Sequence, residues 1–464
     1  MLFSLPRSRL ECSTLIITQF NANRAASRHS PVPDIAGTRE SRLHRIGWEF
    51  LRRDTSRTLR SEPLACCYML ARGYGQRISA IYTRSERCLE GKMKAGSIVV
   101  ACLIATMGAS VAARAATEPG LEFYQIGDLP LESGEIIRDF SIAYMTQGTL
   151  NAKKSNAVLM VTAISGNHHR IDFMIGPGKA LDTDHLFVIK TNAIGNGLTT
   201  SPSNSATQHG PAFPHFTIRD MVQSQYLLLQ HLGIDHLVAV AGASMGGMQT
   251  LQWGVSHPEM MDSLIALTPM ARTSPWSIAV NEATRHALML DPAFNEGNYS
   301  AQPENGWRMR ADVLQVIATR TPEAMRRQFP NPTDVLPWIA AQEQAAVKSG
   351  FDANDWIAQT SAYDRHNVGD TPIDGKLPFG GDHIKALRSI RAKALLMSGQ
   401  LDLYNPVEEG LEAAAAIPDG RHITIPSVQG HVAASTGYKP ADLEFINQTV
   451  SAFIAVVTDH WKKL

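Results

Sequence analysis

The sequence predicts a doubly wound α/β fold, in which a mostly parallel sheet carries an inserted helical cap. Three observations predict it. Short apolar runs typical of buried parallel strands alternate with segments of helical periodicity. A Gly-x-Ser-x-Gly turn, from Gly242 to Gly246, joins one such strand to a helix. Finally, roughly 120 residues, from about Pro269 to Ala392, show only helical patterns, as expected of a cap over the carboxyl ends of the strands.

The amino-terminal part differs in composition from the rest of the 464 residues, of which 44% are hydrophobic and 19% charged. Residues 1–92 contain 16 basic and 8 acidic side chains and no sustained apolar periodicity. We interpret them as an upstream or disordered extension, with the native start at Met93. An Arg-rich targeting or nucleic-acid-binding arm is the rival interpretation.

Residues 93–115 are typical of a secretory signal peptide. Met93 and Lys94 give a basic start, an uncharged apolar run follows, and Ala113 and Ala115 flank a small-x-small cleavage site. An uncleaved membrane anchor and a buried helix are the alternatives. We therefore expect a periplasmic or secreted protein without stable membrane insertion after cleavage. The mature chain would hold 25 basic and 35 acidic residues, which gives no reason to expect nucleic-acid binding.

The mature chain is predicted to contain a core in two parts, residues 116–268 and 393–464, separated by the cap, residues 269–392. A helix is expected from Thr217 to Leu232, because Thr217 and Asp220 have the spacing of an amino-terminal cap and Gly233 follows its end. The last helix is expected from about Pro440. The predicted strands are Glu122–Ile126 and Phe140–Met145, both with the alternation of edge strands, and Ala157–Val161, Leu186–Ile189, Val238–Ala241, Asp262–Leu267, Ala394–Met397 and Ile423–Ile425.

Ser244 is the candidate nucleophile, because the strand-turn-helix context of its motif exposes a serine hydroxyl above the sheet. A serine needs a base, and the base needs an orienting carboxylate. Asp402 and His431 follow predicted strands, in the chain order Ser, acid, His that α/β-hydrolases use. Four other histidines compete as bases but precede the serine or lie inside a strand: His168, His169, His215 and His422. An oxyanion hole would use the backbone N–H groups of Met245 and Ile164.

The motifs resemble those of the homoserine O-acetyltransferase family of α/β-hydrolases. The resemblance rests on Ile175–Asp184, Phe187–Ile189, Phe216–Val222, Gly242–Gln249 and two cap motifs, Asp291-Pro292 and Gly297–Tyr299, and it runs from about Phe123 to the carboxyl terminus. It implies a serine ester intermediate formed on Ser244, with His431 as base and Asp402 as its orienter. It implies no metal, and acetyl-CoA as the acyl donor only if the protein is an acyltransferase.

In three places the sequence departs from the family pattern, and each concerns the binding of homoserine as the acyl acceptor. Val432 follows His431 where the family has an Asp associated with the substrate amine. The segment from Gly195 to Pro202 replaces a Gly-Ser-Thr-Gly-Pro loop. The cap arginine expected to bind the substrate carboxylate does not align cleanly, although Arg308 and Arg310 are close.

On these departures and the export signal, we expect an exported ester or acyl hydrolase that uses water as acceptor. A homoserine O-acetyltransferase is the alternative, and a catalytically inactive binding module on the same fold is a third interpretation. The expected partner is a small-molecule ester or acyl substrate. A homodimer formed through the cap is left open.

Overall fold

The structure, a computed structural model, describes residues 118–435 and 439–459. The interpretations of residues 1–92 as an extension and of 93–115 as a signal peptide lie outside the described residues. Within the described ranges, none of the helices combines the length and the apolar character needed to cross a bilayer.

One eight-stranded sheet forms the centre of the described chain and confirms the predicted α/β class. Its spatial order is β1-β2-β4-β3-β5-β6-β7-β8, and every pair from β4 to β8 is parallel. The strands are β1 Leu121–Pro130, β2 Ile136–Gln147, β3 Ala157–Val161, β4 Phe187–Thr191, β5 Leu237–Ala243, β6 Met261–Leu267, β7 Lys393–Gly399 and β8 Gly420–Ile425. Because β3 and β5 are buried along their whole length, they read as continuous apolar runs.

Helices cover both faces of this sheet. Side chains of α1 and α2, including Met221 and Met248, form one apolar core with one face, and Ile446 and Val450 of α10 form a second core with the other. The helices are α1 Ile218–Leu232, α2 Met245–Ser256, α3 Pro275–Met289, α4 Glu304–Ala311, α5 Pro322–Gln328, α6 Val335–Lys348, α7 Ala353–Asp364, α8 His383–Leu387, α9 Val407–Ala416 and α10 Pro440–Asp459. The predicted amino-terminal capping box of α1 is present, because the Thr217 and Asp220 side chains each accept a hydrogen bond from the other's backbone N–H.

The chain between β6 and β7 contains α3 to α8 and no named strand. Their placement follows from topology: β6 and β7 are adjacent parallel strands, so everything between them lies outside the sheet. The insertion leaves the sheet at the carboxyl end of β6, the same edge at which α2 begins after β5.

One expectation about the sheet is wrong. Phe140–Met145 was expected in an edge strand, but β2 pairs with β1 on one side and β4 on the other. The edges are β1 and β8. β2 keeps an alternating pattern because it is antiparallel to both neighbours and its first half has solvent-exposed positions, Arg138 and Asp139 among them.

Candidate active site

Ser244 occupies a sharp turn between β5 and α2. Its backbone has φ 60° and ψ −122°, an uncommon conformation for a residue with a side chain. The flanking glycines are required by contact: a Cβ on Gly242 would lie 2.5 Å from the backbone of Gly246, and one on Gly246 would lie 2.6 Å from the carbonyl oxygen of Val161. The N–H of Ser244 donates to the Leu267 carbonyl at 2.9 Å, which fixes the turn to β6.

The structure brings Ser244, His431 and Asp402 together from the ends of three strands. His431 lies in a short 3₁₀ helix, Gly430–Ala434, which follows β8. Its Nε2 is 2.9 Å from Ser244 Oγ, and its Nδ1 is 2.8 Å from Asp402 Oδ2. Because a carboxylate can only accept, the proton of a neutral ring resides on Nδ1, and the lone pair of Nε2 faces the serine hydroxyl.

The carboxylate of Asp402 is held by the loop in which it lies. Its side chain is fully buried, and Oδ1 accepts from the backbone N–H groups of Tyr404 at 2.8 Å and Asn405 at 2.9 Å. The Tyr404 ring then packs edge-on against the His431 imidazole, with centroids 5.0 Å apart. These contacts fix the position of the carboxylate and the orientation of the imidazole that it contacts.

The loop after β3, residues 162–166, which we call the oxyanion loop, contains Ile164, the predicted second oxyanion donor. The next N–H, that of Ser165, donates to Oε1 of Gln359 at 2.8 Å, and Ser165 has φ 49°. In contrast, no acceptor in the described part of the chain takes the N–H of Ile164. Met245 is the first residue of α2, so its N–H is one of the unpaired amino-terminal donors of that helix. The geometry therefore leaves both predicted N–H groups available to a ligand.

Buried glutamines hold this loop from two directions, and they are not among the site residues predicted from the sequence. From below, Gln249 Nε2 donates to the Thr162 carbonyl at 2.8 Å, and Gln225 Nε2 donates to Gln249 Oε1 at 2.7 Å. From the cap, Gln359 of α7 accepts from Ser165 and donates to the Ile194 carbonyl at 3.0 Å. Gln249 is the last residue of the motif Gly242–Gln249, so the sequence places it near Ser244. No motif around Gln359 indicates that it lies near the site.

Gln359→Leu is expected to lower kcat for ester turnover about tenfold with little change in KM. Leucine cannot accept from Ser165, so the oxyanion loop loses the bond that sets its conformation, a smaller loss than removing an oxyanion donor outright, about 10²-fold. Steady-state kinetics on p-nitrophenyl acetate measure the effect, with the exposed Gln223→Leu as matched control. An unchanged kcat in a folded Gln359→Leu protein would contradict the role of this bond.

The segment that replaces the family's Gly-Ser-Thr-Gly-Pro loop, and Ser203 directly after it, also contact α7. The backbone N–H and hydroxyl of Ser203 donate to the two carboxylate oxygens of Asp355, at 2.9 and 2.6 Å. Burial raises the pKa of Asp355 to about 7. A Cβ on Gly195, which has φ 80°, would lie 3.1 Å from the Gln359 side chain. The loop is thus packed against the same helix that supports Ser165.

The two candidate cap arginines lie in different environments. Arg308 is partly exposed, and its guanidinium nitrogens are 3.7 and 3.8 Å from Glu304 and Glu343. Arg310 is only 8% exposed, and no described side chain or carbonyl forms an ion pair or hydrogen bond with it. Its guanidinium carbon lies 3.7 Å from the centre of the Trp356 ring. Burial lowers the pKa of Arg310 to about 10, so the group stays charged at neutral pH.

Arg310 lines a cavity between helices of the insertion and Ser165 of the loop after β3. The cavity has a volume of about 270 Å³ and is bordered by Ser165 on one side and by Trp307, Arg310 and Phe351 of the cap on the other. Arg308 is not among its lining residues. Val432, next to His431, is buried and presents an apolar side chain.

The sequence and structure of the chain match those of known proteins. A family model described as "alpha/beta hydrolase fold" matches residues 156–437. A homoserine O-acetyltransferase of Trichormus variabilis is 33% identical over 327 residues, which are 67% of this chain and 88% of that protein. The chain belongs to the homoserine O-acetyltransferase family of α/β-hydrolases. This confirms the resemblance given by the motifs.

Other relatives match only part of their own length. The homoserine O-acetyltransferase of Methanosalsum zhilinae is 37% identical over 314 residues, and this α/β-hydrolase spans 62% of that protein. Solved structures with the same fold include the acetyl esterase MekB, at 29% identity and TM-score 0.66, and the homoserine O-acetyltransferase of Bacillus anthracis, at 25% and 0.64. Each match covers 72% of this chain, with 96% and 97% of those chains respectively. This α/β-hydrolase is therefore an enzyme of the acyltransferase or hydrolase class.

Proposed function

We propose that the protein transfers a short acyl group through an ester on Ser244. The observation that carries the proposal is the continuous hydrogen-bonded line from Ser244 Oγ through His431 to the buried Asp402 carboxylate. His431 Nε2 takes the serine proton as Oγ attacks the acyl carbon, and then returns it to the leaving group. The N–H groups of Met245 and Ile164 would stabilise the negative charge on the acyl oxygen.

The second half of the reaction regenerates the serine. His431 removes a proton from the acceptor oxygen, which attacks the ester carbonyl, and Ser244 leaves with the proton from Nε2. If the acceptor is a hydroxyl compound, the product is a new ester. If it is water, the product is a free acid. The same residues serve both outcomes, so the acceptor depends on which molecule binds beside the acyl ester on Ser244.

We propose a hydroxyl compound with a carboxylate as the acceptor, homoserine being the one that the names of the relatives indicate. Arg310 supports this choice, because a buried guanidinium without a counterion is costly unless an anion binds to it. Its cavity borders Ser165, next to the predicted oxyanion donor Ile164. Transfer thus has more support than the hydrolysis expected from the sequence alone.

Hydrolysis of acetyl esters is the second candidate function. Val432 favours it, because a buried apolar side chain next to His431 gives no partner to the ammonium of an amino-acid acceptor. The acetyl esterase MekB is also a close structural match, at 29% identity. One experiment separates the two: with acetyl-CoA or p-nitrophenyl acetate as donor, the ratio of acetylhomoserine to acetate is measured at rising homoserine concentration. A ratio that climbs with homoserine supports transfer, and a ratio that stays at zero supports hydrolysis.

Val432→Asp is expected to raise kcat/KM for homoserine at least about tenfold, because the new carboxylate would pair with the substrate ammonium beside His431. Burying that carboxylate should lower the free energy of unfolding by about 1 to 3 kcal/mol. The uncharged Val432→Asn is the control for polarity and size. Equal homoserine kinetics in Val432→Asp and Val432→Asn would show that charge at this position does not select the acceptor.

We also propose that the protein is exported to the periplasm or secreted, on the basic start, apolar run and Ala-Arg-Ala site of residues 93–115. In a bacterial host, a reading frame started at Met93 is expected to give a mature protein that begins at Ala116. Amino-terminal sequencing of the periplasmic fraction measures this. A mature product that retains residues 93–115, or its absence from that fraction, would contradict export.

A homodimer formed through the cap is the proposed assembly. Its support is a set of apolar cap side chains that are more than half exposed, Met309, Ile317 and Leu336. Light scattering of the purified protein measures its mass in solution.

A further inference from the structure

A second group of chemically active side chains includes Glu118, the first described residue, and it is separate from the catalytic triad predicted at Ser244, His431 and Asp402. Glu118 extends its carboxylate between two adjacent histidines, with Oε2 3.0 Å from His168 Nε2 and Oε1 2.8 Å from His169 Nε2. The three ligand atoms lie within 4.8 Å of one another. His168 is buried, whereas His169 and Glu118 are accessible to solvent.

The Nδ1 nitrogens of His168 and His169, which face away from Glu118, contact other side chains. His169 Nδ1 is 2.5 Å from Asp172 Oδ2, and Asp172 Oδ1 is in turn 2.7 Å from the buried ammonium of Lys190. His168 Nδ1 lies against the side-chain amide of Asn192, 3.4 Å from its Oδ1 and 3.1 Å from its Nδ2. Histidine rings that bind a metal through Nε2 are commonly oriented in this way, by a carboxylate or an amide oxygen on Nδ1.

The hydrogen bond to Asp172 decides what His169 offers to Glu118. A carboxylate only accepts, so the Nδ1 of a neutral His169 carries the proton and its Nε2 has a lone pair. That lone pair points at a carboxylate oxygen 2.8 Å away, and two acceptors at this distance repel each other unless a positive charge lies between them. A second proton or a metal ion can supply it.

We propose that Glu118, His168 and His169 bind a divalent transition-metal ion such as Zn²⁺. Two imidazole nitrogens and one carboxylate oxygen form a ligand set typical of zinc, with the remaining position open to water. To bind the ion through Nε2, the His168 ring would carry its proton on Nδ1, which requires Asn192 Oδ1, 3.4 Å away, to accept from it although Nδ2 is nearer at 3.1 Å. Glu118 and Asp172 carry two negative charges against the single positive charge of Lys190, so a dication is electrostatically favoured.

The position of the site indicates a structural ion rather than a catalytic one. Glu118 lies three residues before β1, and His168 lies two residues after Gly166, the last residue of the turn that contains Ile164. An ion bound to both would link the amino-terminal segment to the end of the oxyanion loop. The effect expected from it is on stability, and metal binding itself is the primary readout.

The test uses the full chain without a polyhistidine tag, stripped with a chelator and treated with iodoacetamide so that its five cysteines cannot bind metal. Zn²⁺ is titrated in competition with a chromophoric chelator, and thermal unfolding is followed with and without Zn²⁺. We expect about one equivalent of Zn²⁺ bound with a Kd below about 1 µM, and a rise in Tm.

Two variants locate the ion. His169→Gln and Glu118→Gln change solvent-accessible side chains and are each expected to weaken binding at least tenfold and to abolish the rise in Tm. His286→Gln, on the exposed face of α3, is the matched control and should bind as the unchanged protein does. Binding below 0.2 equivalents at about 10 µM Zn²⁺, or equal binding by His169→Gln and the unchanged protein, would overturn the proposal and leave a proton between His169 and Glu118.

Discussion

Ser244→Ala is expected to form no acyl-enzyme and to lower kcat at least about 10⁴-fold, because every covalent step begins at the serine oxygen. The fold should survive the change. The backbone N–H of residue 244 keeps its bond to Leu267, and an alanine at φ 60° has the same backbone strain as the serine. We therefore expect the free energy of unfolding to stay within about 1 kcal/mol of the parent.

Two measurements check this prediction on the same preparations. A fluorophosphonate probe should label the unchanged protein and leave Ser244→Ala unlabelled, and ester turnover should fall in parallel. Ser256→Ala, at the end of the same helix, is the matched control and should retain both labelling and turnover. Activity of Ser244→Ala within tenfold of the parent would remove Ser244 from the mechanism, and an unlabelled parent protein would favour the inactive binding module.

Arg310→Met is expected to lower kcat/KM for homoserine about 100-fold while leaving hydrolysis of p-nitrophenyl acetate within about threefold. Losing a buried charge-assisted contact to a carboxylate costs about 3 kcal/mol, and each 1.4 kcal/mol is tenfold. The neutral ester makes no use of that charge. The split between the two substrates separates loss of a binding group from general damage to the site.

The stability of Arg310→Met should change little, although its activity on homoserine falls. Methionine fills a similar volume, and replacing a buried charge that lacks a partner is neutral or stabilising by about 1 to 4 kcal/mol, against a stacking loss on Trp356 of about 2 kcal/mol. Because the two contributions largely offset each other, we expect a Tm close to that of the parent. Arg308→Met, two residues away and paired with acidic side chains, should change neither property. Equal homoserine kinetics in Arg310→Met and the parent would place the acceptor carboxylate elsewhere.

The fold and the three residues of the triad could be predicted because their signals are local. Ser244, Asp402 and His431 each lie in the segment that follows a strand, β5, β7 and β8 respectively, and a parallel sheet brings the carboxyl ends of its strands to one edge. The catalytic roles carried over to them remain predictions. The capping box of α1 could be predicted for the same reason, because its partners Thr217 and Asp220 are three residues apart.

The groups that the sequence did not reveal depend on contacts between distant segments. Gln359 meets Ser165 across 194 positions of sequence, and nothing near either residue indicates the other. The sequence does not distinguish the environments of Arg310 and Arg308. Only the packing of α4 against Trp356 makes Arg310 a buried cation and leaves Arg308 in a surface ion pair. The prediction of an edge strand at β2 is wrong because alternating polarity indicates that one face of a strand is polar and does not indicate how many strands pair with it.

Helix α7 makes two contacts with functional groups, and the side chains that make them are one turn apart. Trp356 supports the Arg310 guanidinium, and Gln359 supports the N–H of Ser165. A cap transplanted from another family member to change specificity would therefore have to bring its own acceptor for that N–H. Without one, the chimaera would bind its new substrate beside a misshapen oxyanion hole. If Arg310 binds the acceptor as proposed, selection for a different acceptor and selection for rate act on the same helix of twelve residues.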